Sequence, residues 1–416
     1  MASSPPTGAA LPTTREQLLH LLTEAAELEH NLLCSYLYAG FSLKTGTDED
    51  LTDGELAAVS RWRASLRTVC MEEMAHLAQV ANLMVALGAR PHFDRPNLPV
   101  APGYHPAGIV VALAPFSDEA LQHFIFLERA PQDPHRDTPP AVPDSPPAPA
   151  SRALPPTARL TPHAPDYRTI GEFYARIADG LRALADHSPR PFPGGAAAQM
   201  RPEELPGQPL EVVTDLASAL RAIEQVVAQG EGSGDDREDG HYARFVAMQQ
   251  ELRALRRRRP GFEPARPAAT HPVMRAPVAR GRVHVTHPAA VPLLDAFNAS
   301  YALMLRAWST LYDTPQAHAD VRQAVWSVAV GAMHAMGELG TALTRLPARP
   351  GRRAPRAGPT FTLPRHTAGY LGGTPALALL QERARELMDG LATLALPAGA
   401  HLRLQRATEG WHGAAR

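Results

Sequence analysis

Cysteine is nearly absent from this 416-residue chain, with only Cys34 and Cys70 present. Both fall inside helical patterns, which excludes a disulfide framework and suits a reducing compartment. Net charge is −1, from 41 basic and 42 acidic side chains, so no excess of one sign points to nucleic acid or an acidic membrane surface. No apolar run approaches the length of a membrane span, and no useful stretch alternates with the two-residue period of a strand. The first residues are small, polar and proline-containing, without the basic start and apolar centre of a secretory leader. The expectation is an all-α cytoplasmic protein with no nucleic-acid partner and no membrane, and a homo-oligomer stays open.

Proline, by contrast, is abundant: 42 residues, about twice the usual share. Its clusters mark where helices stop and suggest a plan for the chain. Residues 1–13 form a disordered N-terminus and 14–255 a helical body. Within that body, 131–165 is a disordered insertion rich in Pro, Ala, Asp and Ser. A Pro/Arg-rich linker follows over 256–288, with Arg256 to Arg259 solvated. Residues 289–396 supply helices that pack on the body, and 397–416 are a tail.

The first helix is expected from Thr14 to about Leu43, with Thr13 or Thr14 as N-cap and Gln17 completing a capping box. Its apolar stripe, Leu18, Leu22, Ala25, Leu32, Leu33 and Tyr36, contains Glu29. Glu24 and Glu27 fall off that stripe. A carboxylate on an apolar face needs a partner, either an arginine such as Arg63 or Arg67, or a metal ion.

A second helix, about Leu51 to Leu87, has Val59, Leu66, Glu73, Val80 and Leu87 at seven-residue spacing. Glu73 is thus a core position. Glu72, rotated by about 100°, is expected at the surface. His76 lies one turn beyond Glu73, where an imidazole and a carboxylate share one face. A satisfied core histidine is the bland alternative.

The third helix, capped by Ser117, ends its stripe of Leu121, Phe124 and Ile125 on Glu128. Helices follow over about Thr169 to Asp186, where Glu172 has capping-box spacing and points away from the core, and about Glu211 to Gly230. Glu231 stands at the second of these termini, between Gly230 and Gly232, with Glu224 as its rival. His241 then opens a stripe with Phe245, Met248 and Leu252. The Met and aromatic stripes of the last helices, about Val291 to Tyr312, Ala317 to Leu346 and Thr374 to Leu394, belong to packing.

Glu29, Glu73, His76, Glu128, Glu231 and His241 therefore all face inward. Four carboxylates and two imidazoles are the ligand complement of a dinuclear site in a helix bundle. Four uncompensated glutamates in one apolar core would be prohibitively costly, and two divalent cations remove that cost. Hard oxygens with imidazole select iron, with manganese as the other candidate.

Several stretches carry a resemblance: Ala26-Glu27-Leu28-Glu29-His30 with Tyr36-Leu37-Tyr38-Ala39, Glu72-Glu73-Met74-Ala75-His76, Gln229-Gly230-Glu231-Gly232, His241-Tyr242 with Arg244-Phe245, Phe297-Asn298 with Tyr301, and Gly358-Pro359 with Phe361. Together they resemble the ferritin-like domain family named for iminophenyl-pyruvate dimer synthase, to which the C-terminal parts of the violacein and rebeccamycin chromopyrrolic-acid-type synthases belong. Outside the Pro-rich insertions the resemblance covers most of the chain. It implies a ferritin-like bundle with a metal site, which the ligand count above fills with two iron ions, and a place in bacterial specialised metabolism. The haem-associated region of the longer synthases has no counterpart here, so no haem and no carry-over of their coupling reaction are expected.

The expected chemistry is O2 activation between two Fe(II) ions and oxidation of a small, amino-acid-derived substrate. In it Tyr36 donates an electron or a hydrogen bond, core packing being its plainer role. A non-catalytic metal-binding or scaffold protein of a biosynthetic complex is the alternative.

Overall fold

The computed structural model describes residues 12–101, 103–105, 109–130, 161–164, 166–230, 240–276, 278, 281–365, 368–370, 374–396, 399, 402–403 and 406. Nine long helices carry the described chain: α1 (Arg15–Ser42), α2 (Asp53–Ala86), α3 (Asp118–Leu127), α4 (Ile170–His187), α5 (Leu216–Gln229), α6 (His241–Arg258), α7 (Ala290–Tyr312), α8 (Ala319–Leu343) and α9 (Thr374–Ala392). The fold is all-α as expected. The described strands are a single parallel pair of two-residue pieces, Pro272–Val273 and Val283–His284. No described helix is long and apolar enough to cross a membrane.

Local sequence sets the helix starts. Thr14 and Gln17 form the expected capping box, and Thr52 does the same with Glu55. Ser117 accepts from the Ala120 amide at the start of α3. Each such cap satisfies an otherwise orphaned N–H and contributes about 1 kcal/mol. At Thr169 the cap accepts from the Glu172 amide, while the Glu172 carboxylate turns out to Arg168 and Arg176. Glu172 therefore points away from the core, as its spacing predicts.

Tertiary packing arranges the helices around α1. The α1 and α2 helices form an antiparallel hairpin, α3 pairs with α6, and α4 pairs with α5. The α4 helix lies against α1, and α5 and α6 lie against α2. On another side, α8 packs on α1, while α7, α8 and α9 pack together. In consequence α1 is buried all round from Glu24 to Tyr36. The face off the apolar stripe is covered too: Glu27 takes bonds from His92 and Tyr104, and Glu24 from Tyr167.

The stretch read as a linker is held against the bundle. Phe262 is fully buried. Arg266 donates to Glu49 Oε1 at 2.6 Å and to the Leu43 carbonyl at 2.9 Å, and Arg259 pairs with Asp50 and Glu55. Most of the expected 131–165 insertion lies outside the described residues.

Candidate metal centre

The fold brings together five of the six inward-facing residues expected from the sequence. Glu29 comes from α1, Glu73 and His76 from α2, Glu128 from the residue that caps the C-terminus of α3, and His241 from the first turn of α6. All five are buried, none more than 3% exposed. Glu231 lies outside the described residues. Its neighbour Gly230 closes α5 directly over the cluster: a Cβ there would stand 3.5 Å from Glu128 Oε2 and 3.6 Å from His241 Nδ1. The rival Glu224 is exposed on the outer face of α5, so it does not stand in for Glu231.

Two groups of three share one member. Glu29, Glu73 and His76 bring ligand atoms within 4.8 Å of one another, and so do Glu73, Glu128 and His241. His76 Nδ1 is 3.4 Å from Glu29 Oε2 and 3.5 Å from Glu73 Oε2. His241 Nδ1 is 3.0 Å from Glu73 Oε1 and 3.5 Å from Glu128 Oε1. Glu73 thus turns one oxygen to each imidazole.

Four of the five groups, all but Glu73, are oriented by a neighbouring side chain. Tyr174 donates to Glu29 Oε1, and Tyr36 to Glu128 Oε1. His76 Nε2 lies 3.1 Å from Gln229 Oε1, and His241 Nε2 lies 3.0 Å from Glu72 Oε2. Glu72 in turn receives Arg244 at 2.7 and 3.2 Å. Both histidines therefore turn Nε2 outward and Nδ1 toward the cluster.

Glu72 contradicts its sequence reading. It is buried, because α6 covers the flank of α2 that rotation by one residue leaves outside the heptad seam. Tyr174 and Gln229 carried no such signal in the sequence, since their roles arise only where α4 and α5 cross the hairpin. Glu29 pairs with neither Arg63 nor Arg67. Cys70, one turn before Glu73, is a buried thiol whose pKa is pushed well up by burial and by the Glu73 charge, which keeps it protonated and unreactive.

Burial pushes the Glu29 carboxyl up to about 7. It pushes Glu73 the same way, but the two imidazoles outweigh it and hold that carboxyl well below its ordinary range. Burial disfavours the charged imidazoles as well, yet the carboxylates raise His76 to about 10 and His241 well above its ordinary value. Protonated histidines thus supply the positive charge that the carboxylates demand, and an entering cation would displace those protons.

The donor set fits divalent ions. Glu29 Oε2, Glu73 Oε2 and Glu128 Oε2 are all buried without a hydrogen bond, the first two facing His76 Nδ1 only at 3.4 and 3.5 Å. Orphaned buried acceptors of this kind are costly unless something satisfies them. They belong to two groups that share Glu73, and oxygen with imidazole is the chemistry of iron, manganese or zinc. These residues could hold two ions with Glu73 shared between them.

The Ferritin-like family model matches residues 22–250, which contain all five clustered residues. The chain is also 30% identical to "Dichlorochromopyrrolate synthase" of Lentzea aerocolonigenes, over 92% of this chain and 39% of that protein. It is 26% identical to "2-imino-3-(indol-3-yl)propanoate dimerase" of Chromobacterium violaceum, over 95% of this chain and 38% of that protein. The chain therefore spans less than two fifths of the length of these relatives. A crystal structure of a ferritin-like protein from Caulobacter vibrioides is similar at 21% identity, covering 70% of this chain and 85% of the other, with a TM-score of 0.40. With more than half of its length matched by the family model, the chain belongs to the Ferritin-like family.

Proposed function

We propose that this chain is a metal-dependent oxidoreductase of bacterial specialised metabolism. It binds two divalent ions, iron first among them, and uses O2 to oxidise a small, amino-acid-derived substrate. One observation carries this reading: the Glu73 carboxylate is shared by two buried Glu/His groups, and each of the three glutamates keeps one buried oxygen without a hydrogen bond. The substrate class rests on the relatives, whose names specify an indole-bearing imino acid and a chromopyrrolate.

When bound, iron would supply the redox equivalents for O2 reduction. The chain's own residues do the rest. Glu29, Glu73 and Glu128 balance the ionic charge, and His76 and His241 complete the donor set. Tyr36 holds a proton on its hydroxyl against Glu128 Oε1. It stands in an aromatic wall with Phe124 and Phe245, ring centroids 4.7 and 5.0 Å away, which keeps water from that side.

The test is anaerobic Fe(II) loading of the metal-free chain, elemental analysis, and O2 uptake with indole-bearing and phenyl-bearing imino acids. Two ions per chain with substrate-dependent O2 uptake is the expected result. Failure to bind any ion sinks the metal reading, and binding without O2 uptake reduces the protein to a metal-binding member of its family.

A further inference from the structure

We infer that the two ion positions are unequal: the one formed by Glu73, Glu128 and His241 takes a divalent first-row cation more tightly than the one formed by Glu29, Glu73 and His76. This deepens the metal-binding reading above and rests on it.

The carboxylates are alike in number and support. Glu29 and Glu128 each receive one tyrosine hydroxyl on Oε1 and each have an Oε2 without a hydrogen bond, although Glu29 meets its imidazole with Oε2 and Glu128 with Oε1. Glu73 belongs to both groups. The difference lies behind the histidines. His241 Nε2 meets the Glu72 carboxylate at 3.0 Å, and Glu72 is itself fixed by Arg244. His76 Nε2 meets the neutral amide of Gln229 at 3.1 Å.

Two physical consequences follow from that exchange of carboxylate for amide. A carboxylate accepting the imidazole N–H makes the opposite nitrogen a stronger donor to a metal, and the charged hydrogen bond is roughly twice as strong as a neutral one. A carboxylate can also only accept, so Glu72 demands the Nε2–H tautomer that leaves Nδ1 ready for an ion. An amide carries both an acceptor and donors, so Gln229 tolerates either tautomer of His76 and enforces neither. Arg244 reaches both oxygens of Glu72, at 2.7 and 3.2 Å, and so holds that carboxylate in place behind His241.

The full chain, freed of metal, is titrated anaerobically with Co(II), read by visible absorption and calorimetry. Single-position variants remove the repulsion between neighbouring ions. The ion retained by Glu29→Ala is expected to bind about tenfold or more tightly than the ion retained by Glu128→Ala. Adding Glu72→Gln to Glu29→Ala should weaken its ion by about 10–100-fold, and adding Gln229→Glu to Glu128→Ala should tighten its ion. A purely structural role for residues 72 and 229 would produce neither selective shift.

Equal affinities in the two single variants, or no tightening by Gln229→Glu, overturn the inference while leaving the metal reading intact. Absence of Co(II) binding to the unmodified chain overturns both. Circular dichroism checks each fold, and if Glu72→Gln does not fold, Gln229→Glu and the two alanine variants decide the matter.

Discussion

The hydroxyl of Tyr174, on α4, donates to Oε1 of Glu29, on α1, and so decides that Oε2 of that carboxylate faces the His76 imidazole at 3.4 Å. Tyr174→Phe removes the donor and leaves Oε1 buried without it. The expected cost is about 1–3 kcal/mol of stability, seen as a lower melting temperature in chelator. Metal affinity at the Glu29 position should fall by about tenfold, and an unchanged affinity would remove Tyr174 from the site.

Glu73 is the shared carboxylate, so its loss differs in kind from loss of its neighbours. Glu73→Ala should bind no ion, whereas Glu29→Ala and Glu128→Ala should each keep one. Elemental analysis of metal per chain separates these outcomes. One ion retained by Glu73→Ala would show that the positions do not depend on a common ligand.

Gly358 sits against Tyr38, whose buried hydroxyl donates to the Ala269 carbonyl. A Cβ at residue 358 would stand 2.1 Å from the Tyr38 hydroxyl oxygen and 2.6 Å from its ring. Gly358→Ala should therefore destabilise by about 1–3 kcal/mol through overpacking. Gly54, in the first turn of α2, has nothing within 4 Å of its Cβ position. Gly54→Ala should instead stabilise by about 0.4–1 kcal/mol by restricting the unfolded chain. Chemical denaturation of the two variants checks the opposite signs.

Glu49 is the acid-sensitive tie between the α1–α2 connection and the segment after α6. Partial burial pushes its carboxyl up, but hydrogen bonds from Arg266 and the Thr45 amide outweigh this and bring it from 4.5 down to about 2. A depressed folded-state value means stability fully present above the unfolded value and lost as pH falls through the folded one. The stability gap between the native chain and Glu49→Gln should therefore narrow from about pH 4.5 down to about pH 2. A gap that stays constant over that window would remove the Arg266 pairing as its cause.

Much of the fold was legible because helix periodicity is a local property. Thr14 with Gln17, and Ser117, set the starts of two helices within a residue or so of their observed positions. The heptad through Val59, Leu66, Glu73 and Val80 put Glu73 on a buried face before any helix was placed beside it. The same arithmetic failed for Glu72 because periodicity identifies the apolar face of a helix and is silent on a polar flank that another helix covers. It was silent on Arg266 for a similar reason. A basic, proline-rich composition suggests solvent, yet two backbone carbonyls and Glu49 give that guanidinium a buried place.

Sequence by itself determined an all-α chain and the inward-facing carboxylates and imidazoles Glu29, Glu73, His76, Glu128 and His241, since spacing along a helix fixes direction about its axis. Tertiary structure decided which atoms of those residues meet. The choice of Oε2 on Glu29, of Nδ1 on both histidines, and of an amide behind His76 but a carboxylate behind His241 depends on α4, α5 and α6 crossing the α1–α2 hairpin. Those crossings are long-range contacts between faces, which no local period encodes.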